Sequence, residues 1–178
     1  MIKVRNGVFE TNSSSSHSIV IKKGDGKTPD RIDPDWRVHE DGELYIWDTD
    51  LEFGRSPFDV LCDWYHKLCY AIASYGEEGF EYVESIALKH IKRATFIKLP
   101  LTWNYKDEQV TNYGYVDHQS MGLLESFLRT NNITLDDFIF NDKYVVIVDG
   151  DEYCVFERLN KSGLLDKNAI EERMKPDD

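Results

Sequence analysis

The chain has 178 residues and a net charge of −12, from 21 basic and 33 acidic side chains. Its length fits one domain with a continuous core, and its apolar share of 41% separates it from disordered acidic chains. A body this acidic repels a phosphate backbone, which argues against non-specific duplex binding by the bulk of the surface. There is no apolar run of about 18 residues and no signal-peptide core near Met1, so we expect no membrane association.

Cysteine usage and composition shifts bear on the compartment and the domain organisation. Cys62, Cys69 and Cys154 make an odd number without a Cys-x-x-Cys pair, which favours reduced thiols and a cytoplasmic location. No internal repeat is visible, and KKGDGKTPDRIDPD (22–35) is the strongest loop candidate. We therefore predict a single domain over 1–178.

Strand signals are spread along the chain. Asn6-Gly7, Asp41-Gly42 and Asp149-Gly150 are dipeptides of the kind that two-residue hairpin turns require. They would join IKVR to VFE, RVHE to ELYIW, and YVVIV to EYCVF. SIVI (18–21) and ATFIKL (94–99) are two further predicted strands.

Helical patterns alternate irregularly with these strands. The first helix is expected to start at Ser56-Pro57-Phe58-Asp59 and to stop at Gly76. Serine is a favoured N-cap residue, and proline is tolerated in the first turn of a helix. Further helices are predicted at 79–93 and 119–131, with another turn or two at 135–140 and a short frayed helix from about 168. The fold prediction is α+β: an antiparallel sheet built from hairpins, with three main helices packed on one face.

The segment FETNSSSSHSIVI (9–21) places hydroxyl and amide side chains between an acid and a histidine, directly before a predicted strand. Short hydroxyls and backbone N–H groups donate hydrogen bonds to phosphate oxygens without filling the space the anion needs. Residues 1–23 are also locally basic, with four basic side chains against one acid. The alternative is that these side chains form hydrogen bonds to the backbone within an irregular turn. The candidate ligand-binding residues here are Thr11, Asn12, Ser13, Ser14, Ser15, Ser16 and Ser18, and the candidate catalytic groups are Glu10 and His17.

A second histidine lies in the stretch DHQS, just ahead of the helix predicted at 119–131. Asp117 and His118 are candidate catalytic residues, and Gln119 and Ser120 are candidate ligand-binding residues, because an imidazole titrates near neutral pH and a helix N-terminus favours anions. The competing interpretation is simple capping by Asp117 or Ser120. His-Gln-Ser matches one half of the His-x-Ser/Thr pattern of two-histidine phosphoesterases, but Ile19 follows His17 where the other half needs a hydroxyl.

Two other motifs fail on spacing. GDGKT lacks the first glycine of a phosphate-binding Walker A loop, since Ile21 stands there, and Pro29 follows where a helix should begin. Cys62, His66 and Cys69 share one face of the first predicted helix, but zinc needs a fourth, tetrahedral ligand, so core packing is favoured. The sequence predicts no metal site and identifies no cofactor.

The opening VRNGVFETNSSSSHSI (4–19) resembles the start of uncharacterised phage and prophage proteins of Gram-positive bacteria. The resemblance implies a phage setting and a stage in the host cytoplasm, and it adds weight to residues 10–18 as a site. It implies no particular reaction.

Two functions of different classes are compatible with these features. The first is a site that binds or processes a phosphate-bearing ligand, such as a nucleotide or a nucleic-acid end, with His17 and His118 as acid, base or charge stabiliser. The second is an acidic accessory protein that binds a host protein with a basic surface, with imitation of nucleic-acid charge as one way of doing so. A virion structural component is a third possibility, and the sequence leaves both enzymatic activity and oligomeric state open.

Overall fold

The computed structural model describes residues 17–22, 26–54, 59–117 and 120–148. The strands in these ranges are β1 (His17–Ile21), β2 (Glu43–Tyr45), β3 (Glu52–Phe53), β4 (Asp59–Leu61), β5 (Phe96–Lys98), β6 (Leu101–Trp103), β7 (Gln109–Thr111), β8 (Tyr115–Val116) and β9 (Tyr144–Val148). The α-helices there are α1 (Trp64–His90), α2 (Leu123–Asn131) and α3 (Leu135–Phe140). The Asn6-Gly7 and Asp149-Gly150 turns and the tail from 168 lie outside the described residues.

The largest sheet has β9 at its centre, in the order β1-β9-β4. β9 pairs antiparallel with β1, His17 lying opposite Val148, and antiparallel with β4, Leu61 lying opposite Val146. The sequence of β9, YVVIV, is continuously apolar, and Val145, Val146 and Val148 are buried. A strand flanked on both edges and covered on its faces requires this apolar composition.

The remaining strands form two-stranded pairs around this sheet. β2 pairs parallel with β5, β3 pairs parallel with β8, and β6 pairs antiparallel with β7. Parallel pairs need long connections, and α1 lies within the chain that separates β2 from β5 and β3 from β8. α1 also contacts β3, β5 and β8 directly.

α1 begins after Asp63, whose carboxylate accepts hydrogen bonds from the N–H groups of Tyr65 and His66. Such a cap satisfies donors that the first helical turn leaves unpaired. Gly76, at φ 60° and ψ −159°, kinks the helix in its middle. That backbone region is essentially restricted to glycine, so Gly76 ends one helical segment and lets the next begin at an angle.

The core lies between the first half of α1, α3 and the inner strands. α1 contributes residues around its whole circumference, including Leu68, Tyr70 and Ile72, and α3 contributes Phe138 and Ile139, all fully buried. α2 buries Leu124 and Leu128 and exposes its opposite side. None of the helices in the described ranges combines the length and apolarity needed to cross a bilayer.

The α+β class and the antiparallel sheet predicted from the sequence are confirmed. The Asp41-Gly42 turn predicted between RVHE and ELYIW is present, because Val38 lies opposite Leu44 in an antiparallel bridge and the His39 N–H donates to the Glu43 carbonyl. The three-stranded sheet differs from the expected hairpins, because β1, β9 and β4 are distant in sequence. The helix start predicted at 56–59 is also corrected, because 59–61 is strand β4 and α1 starts at Trp64. Pairing with β9 outweighs the local helix-start pattern there. The two helices predicted at either side of Gly76 are the two halves of α1.

Candidate functional site

His17 is the first residue of β1, and its surroundings anchor the end of the serine-rich segment. The residue is only 6% exposed. Its backbone N–H donates a 3.1 Å hydrogen bond to Ser120 Oγ, although the two residues are 103 positions apart. Ser120 is itself buried, so this contact is shielded from water. The described ends of the two polar segments singled out in the sequence therefore meet.

The imidazole of His17 packs against a buried tyrosine of α1. His17 Nδ1 lies 3.3 Å from the hydroxyl oxygen of Tyr70, and the two ring centroids are 5.7 Å apart. Phe53 contacts Tyr70 edge-on, with ring centroids 5.1 Å apart. Burial raises the pKa of Tyr70 above its usual range, so its phenol stays protonated beside the histidine. This contact fixes the orientation of the imidazole.

Ser120 is positioned by a turn that is tied to β3. The N–H of Asp117 donates to the carbonyl of Phe53 at 2.9 Å, and the N–H of Ser120 donates to the carbonyl of Asp117 at 2.8 Å. The parallel pairing of β3 with β8 brings the chain to this point, with Phe53 opposite Val116. Phe53 thus links both halves of the site, since its ring contacts Tyr70 and its carbonyl holds the turn.

The described residues test only part of the predicted site. His17 and Ser120 come together, Asp117 begins the same turn, and Ser18 is exposed on β1. The other candidates lie outside the described residues: Glu10, Thr11, Asn12, Ser13, Ser14, Ser15, Ser16, His118 and Gln119. Their catalytic and ligand-binding roles, and the approach of His118 to His17, stay predictions.

We expect Ser120→Ala to lower the free energy of unfolding by about 1–3 kcal/mol, because the buried N–H of His17 would lose its acceptor. Urea denaturation followed by circular dichroism measures this change. Ser126→Ala, at an exposed position on α2, is the matched control and should change stability by no more than about 0.5 kcal/mol. Equal effects of the two substitutions would contradict a structural role for the Ser120 hydroxyl.

An open groove of 730 Å³ lies between the kink of α1 and α2, next to this turn. Its aromatic wall is formed by Tyr75 and Tyr82, whose ring centroids are 5.9 Å apart. Gly122, two residues after Ser120, lines the groove and has a φ of 73°. Glu125 and Arg129 also line it, and neither forms an ion pair with another described residue. The groove offers both aromatic faces and charged groups.

Lys67 is a buried charged residue that the sequence reasoning missed. It is 1% exposed, and its Nζ donates to the backbone carbonyls of Asn141 at 2.6 Å and Tyr144 at 3.1 Å. Burial lowers the pKa of Lys67 to about 8, although the nearby Asp63 charge acts in the opposite direction. The available signal was WYHKLCYAIA (64–73), an almost entirely apolar stretch that carries one lysine. A helix buried on all sides must bury that lysine too.

The cysteine and histidine residues considered for a metal do not share one helical face. Cys62 precedes the first residue of α1, Cys69 is buried in the core, and His66 Nδ1 lies 2.6 Å from Asp63 Oδ2. The hydrogen bond to the Asp63 carboxylate raises the pKa of His66 and holds the imidazole at the helix cap. Within the described ranges, no group of three or more His, Cys, Asp and Glu side chains is arranged to hold a metal ion.

The chain was compared with protein-family models, with curated proteins and with solved structures, and none of them matches it.

Proposed function

We propose that the protein binds a phosphate-bearing ligand of the nucleotide class where the segment preceding β1 meets the turn preceding α2. The observation that carries this proposal is the buried hydrogen bond from the His17 N–H to Ser120 Oγ. It joins the described ends of two segments that are each rich in hydroxyl, amide and imidazole groups. Two such segments meeting at one place supply more hydrogen-bond donors than either supplies alone.

The chemistry of the two segments suits a phosphate group. Serine and threonine hydroxyls donate hydrogen bonds to anionic oxygens, and such charge-assisted bonds are stronger than neutral ones. Lys3, Arg5, Lys22 and Lys23 make residues 1–23 locally basic, and residues 85–106 form a second basic stretch in this acidic chain. The positive charge of residues 1–23 favours an anion near the hydroxyl-rich segment that they contain.

His17 has a positioning role in this proposal. Its imidazole is packed against Tyr70, and only a small fraction of the residue reaches solvent. A general acid or base must come within hydrogen-bond reach of the group that it protonates. Because this ring is buried, we propose that it does not act as a general acid or base. His17 instead holds the end of the serine run in place, and the proposed activity is ligand binding.

The adjoining groove supports a ligand larger than phosphate alone. Tyr82 is half-exposed beside Tyr75, and a planar base can stack on such a ring. Arg129 provides a guanidinium that pairs well with planar acceptors or with a further phosphate oxygen. A nucleotide has both parts, a base for the aromatic wall and a phosphate for the hydroxyl-rich segments.

The test measures the melting temperature of the full chain with a nucleoside triphosphate panel, the matching nucleosides and inorganic phosphate. A ligand that binds only the folded state adds about 2.7 kcal/mol of stability at a hundredfold excess over its Kd. We expect nucleotides to raise the melting temperature of the wild type and of Ser85→Ala, an exposed control on α1. Ser14→Ala/Ser15→Ala should abolish the response, and Tyr82→Ala should reduce the nucleotide response towards that of phosphate.

Two results would contradict the proposal. One is the absence of any ligand-dependent shift of the wild-type melting temperature across the panel. The other is an unchanged response in the Ser14→Ala/Ser15→Ala protein, which would remove the hydroxyl-rich segment from the binding site.

A further inference from the structure

The β6–β7 hairpin exposes every residue of both its strands. Leu101 is 59% exposed, Trp103 is 66% exposed, and Tyr105 in the connecting turn is 90% exposed. Large apolar side chains so fully exposed within one short ribbon are unusual for an isolated chain and mark an interaction surface.

The hydrogen-bond pattern of the hairpin shows which backbone groups of β6 point away from β7. Asn104 N–H donates to the carbonyl of Glu108, and Asn112 N–H donates to the carbonyl of Pro100. Hydrogen-bonded positions alternate along an antiparallel pair, so Thr102, opposite Val110, also bonds to β7. The N–H and C=O groups of Leu101 and Trp103 consequently face the outer edge of β6. Across the described part of the chain, β7 is the strand that pairs with β6.

We propose that two copies of the chain associate through these outer edges, antiparallel about a two-fold axis at Thr102. This register places Leu101 opposite the partner's Trp103, and Trp103 opposite the partner's Leu101. Both residues have outward backbone groups, so each pair exchanges two N–H···O=C bonds. The ribbons of the two copies then form one four-stranded sheet, and a two-fold axis closes the assembly as a dimer.

The side chains of this register are mutually compatible. Leu101 and Trp103 form two apolar cross-strand pairs on one face, and Thr102 meets the partner's Thr102 on the other. Aromatic–aliphatic and Thr–Thr pairs are both favourable across antiparallel strands. The pairing therefore covers the most exposed apolar side chains of β6 without burying a charge.

The uncharged sequence of β6 favours pairing with another uncharged strand, such as β6 of a second copy, over a basic partner. The three residues of β6 are uncharged in a chain of net charge −12, so β6 offers nothing for a basic surface to recognise.

Analytical ultracentrifugation of the full chain tests the proposal over a range of protein and salt concentrations. We expect the wild type to be in monomer–dimer equilibrium, with a dimer that tightens as salt screens the repulsion between two acidic copies. Trp103→Lys should weaken the dimer at least tenfold, because lysines on an edge strand oppose strand pairing. Val110→Lys, at an exposed position on β7 away from the pairing edge, is the matched control and should still dimerise.

Hydrogen exchange of the unmodified protein gives a second, independent readout. The amide protons of Leu101 and Trp103 should become protected as protein concentration rises, while that of Thr102 is protected at every concentration by β7. A wild type that stays monomeric at high salt and high concentration overturns the proposal. So does a dimer in which Leu101 and Trp103 exchange as fast as in the monomer, or one that survives Trp103→Lys.

Discussion

Replacing Gly114 with alanine should lower the free energy of unfolding by about 3–5 kcal/mol. Gly114 has a φ of 75°, where a Cβ atom is strained, and the new Cβ would lie 2.6 Å from Leu51 Cβ and clash with the Leu51 carbonyl oxygen. Leu51 is fully buried, so neither partner can move aside cheaply. Urea denaturation measures the change, and the melting temperature should fall by roughly 6–20 °C.

Gly122→Ala separates the two causes of this effect. Gly122 has a nearly equal φ of 73°, but a Cβ there meets no atom within 4 Å. It should cost only about 1 kcal/mol, the penalty of the left-handed backbone alone. If the two alanine variants were equally stable, the close approach of Gly114 to Leu51 would not exist in solution.

Lys67→Met should change the way in which stability depends on pH. Burial lowers the pKa of Lys67 to about 8, whereas an unfolded chain has a lysine pKa of about 10.4. Between these values the unfolded state binds more protons, so wild-type stability rises with pH relative to the methionine variant. The expected gain between pH 7 and pH 10 is about 2–3 kcal/mol. Below about pH 7 the lysine is charged in both states and the difference is constant.

Urea denaturation at several pH values gives the free energy of unfolding of both proteins. The gain is the change, from pH 7 to pH 10, in the difference between the two free energies. Methionine also leaves the carbonyls of Asn141 and Tyr144 without a donor, but that cost does not vary with pH. Buried tyrosines such as Tyr70 affect the alkaline stability of both proteins alike and cancel. Lys89→Met, on the exposed side of the same helix, should follow the wild-type profile. A difference that stays flat from pH 7 to 10 would mean that the Lys67 ammonium reaches water.

Elements whose pattern is local could be predicted from the sequence. The apolar run of SIVI is strand β1, LDDFIF is helix α3, and Thr134 caps that helix by accepting a hydrogen bond from the Asp137 N–H. The sequence predicts that a helix stops at Gly76, and α1 kinks at that residue. Periodicity, caps and glycine conformation act over a few residues, so they can be recognised without knowledge of the fold.

Elements that depend on distant partners could not be predicted in this way. Ser56-Pro57 has every local mark of a helix start, yet 59–61 pairs with β9, about 85 residues further along the chain. The parallel pairs β2–β5 and β3–β8 carry no signal in either strand, because a strand's pattern records its burial and not its neighbour. Strand pairing is decided by which surfaces the packed core brings together.

The candidate site also has a part that the sequence predicts and a part that only the tertiary structure determines. Its polar segments were recognisable from composition alone, as a run of hydroxyl groups before a strand and a His-Gln-Ser stretch before a helix. Only the tertiary structure joins them at His17 and Ser120, and only it supplies Tyr70 as the partner of the His17 ring. Tyr70 and Lys67 lie in an apolar helical stretch. This composition predicts that they are buried, but it does not predict which residues they contact. Residue type sets which interactions a side chain can make, whereas the packing of distant elements determines which partner it has.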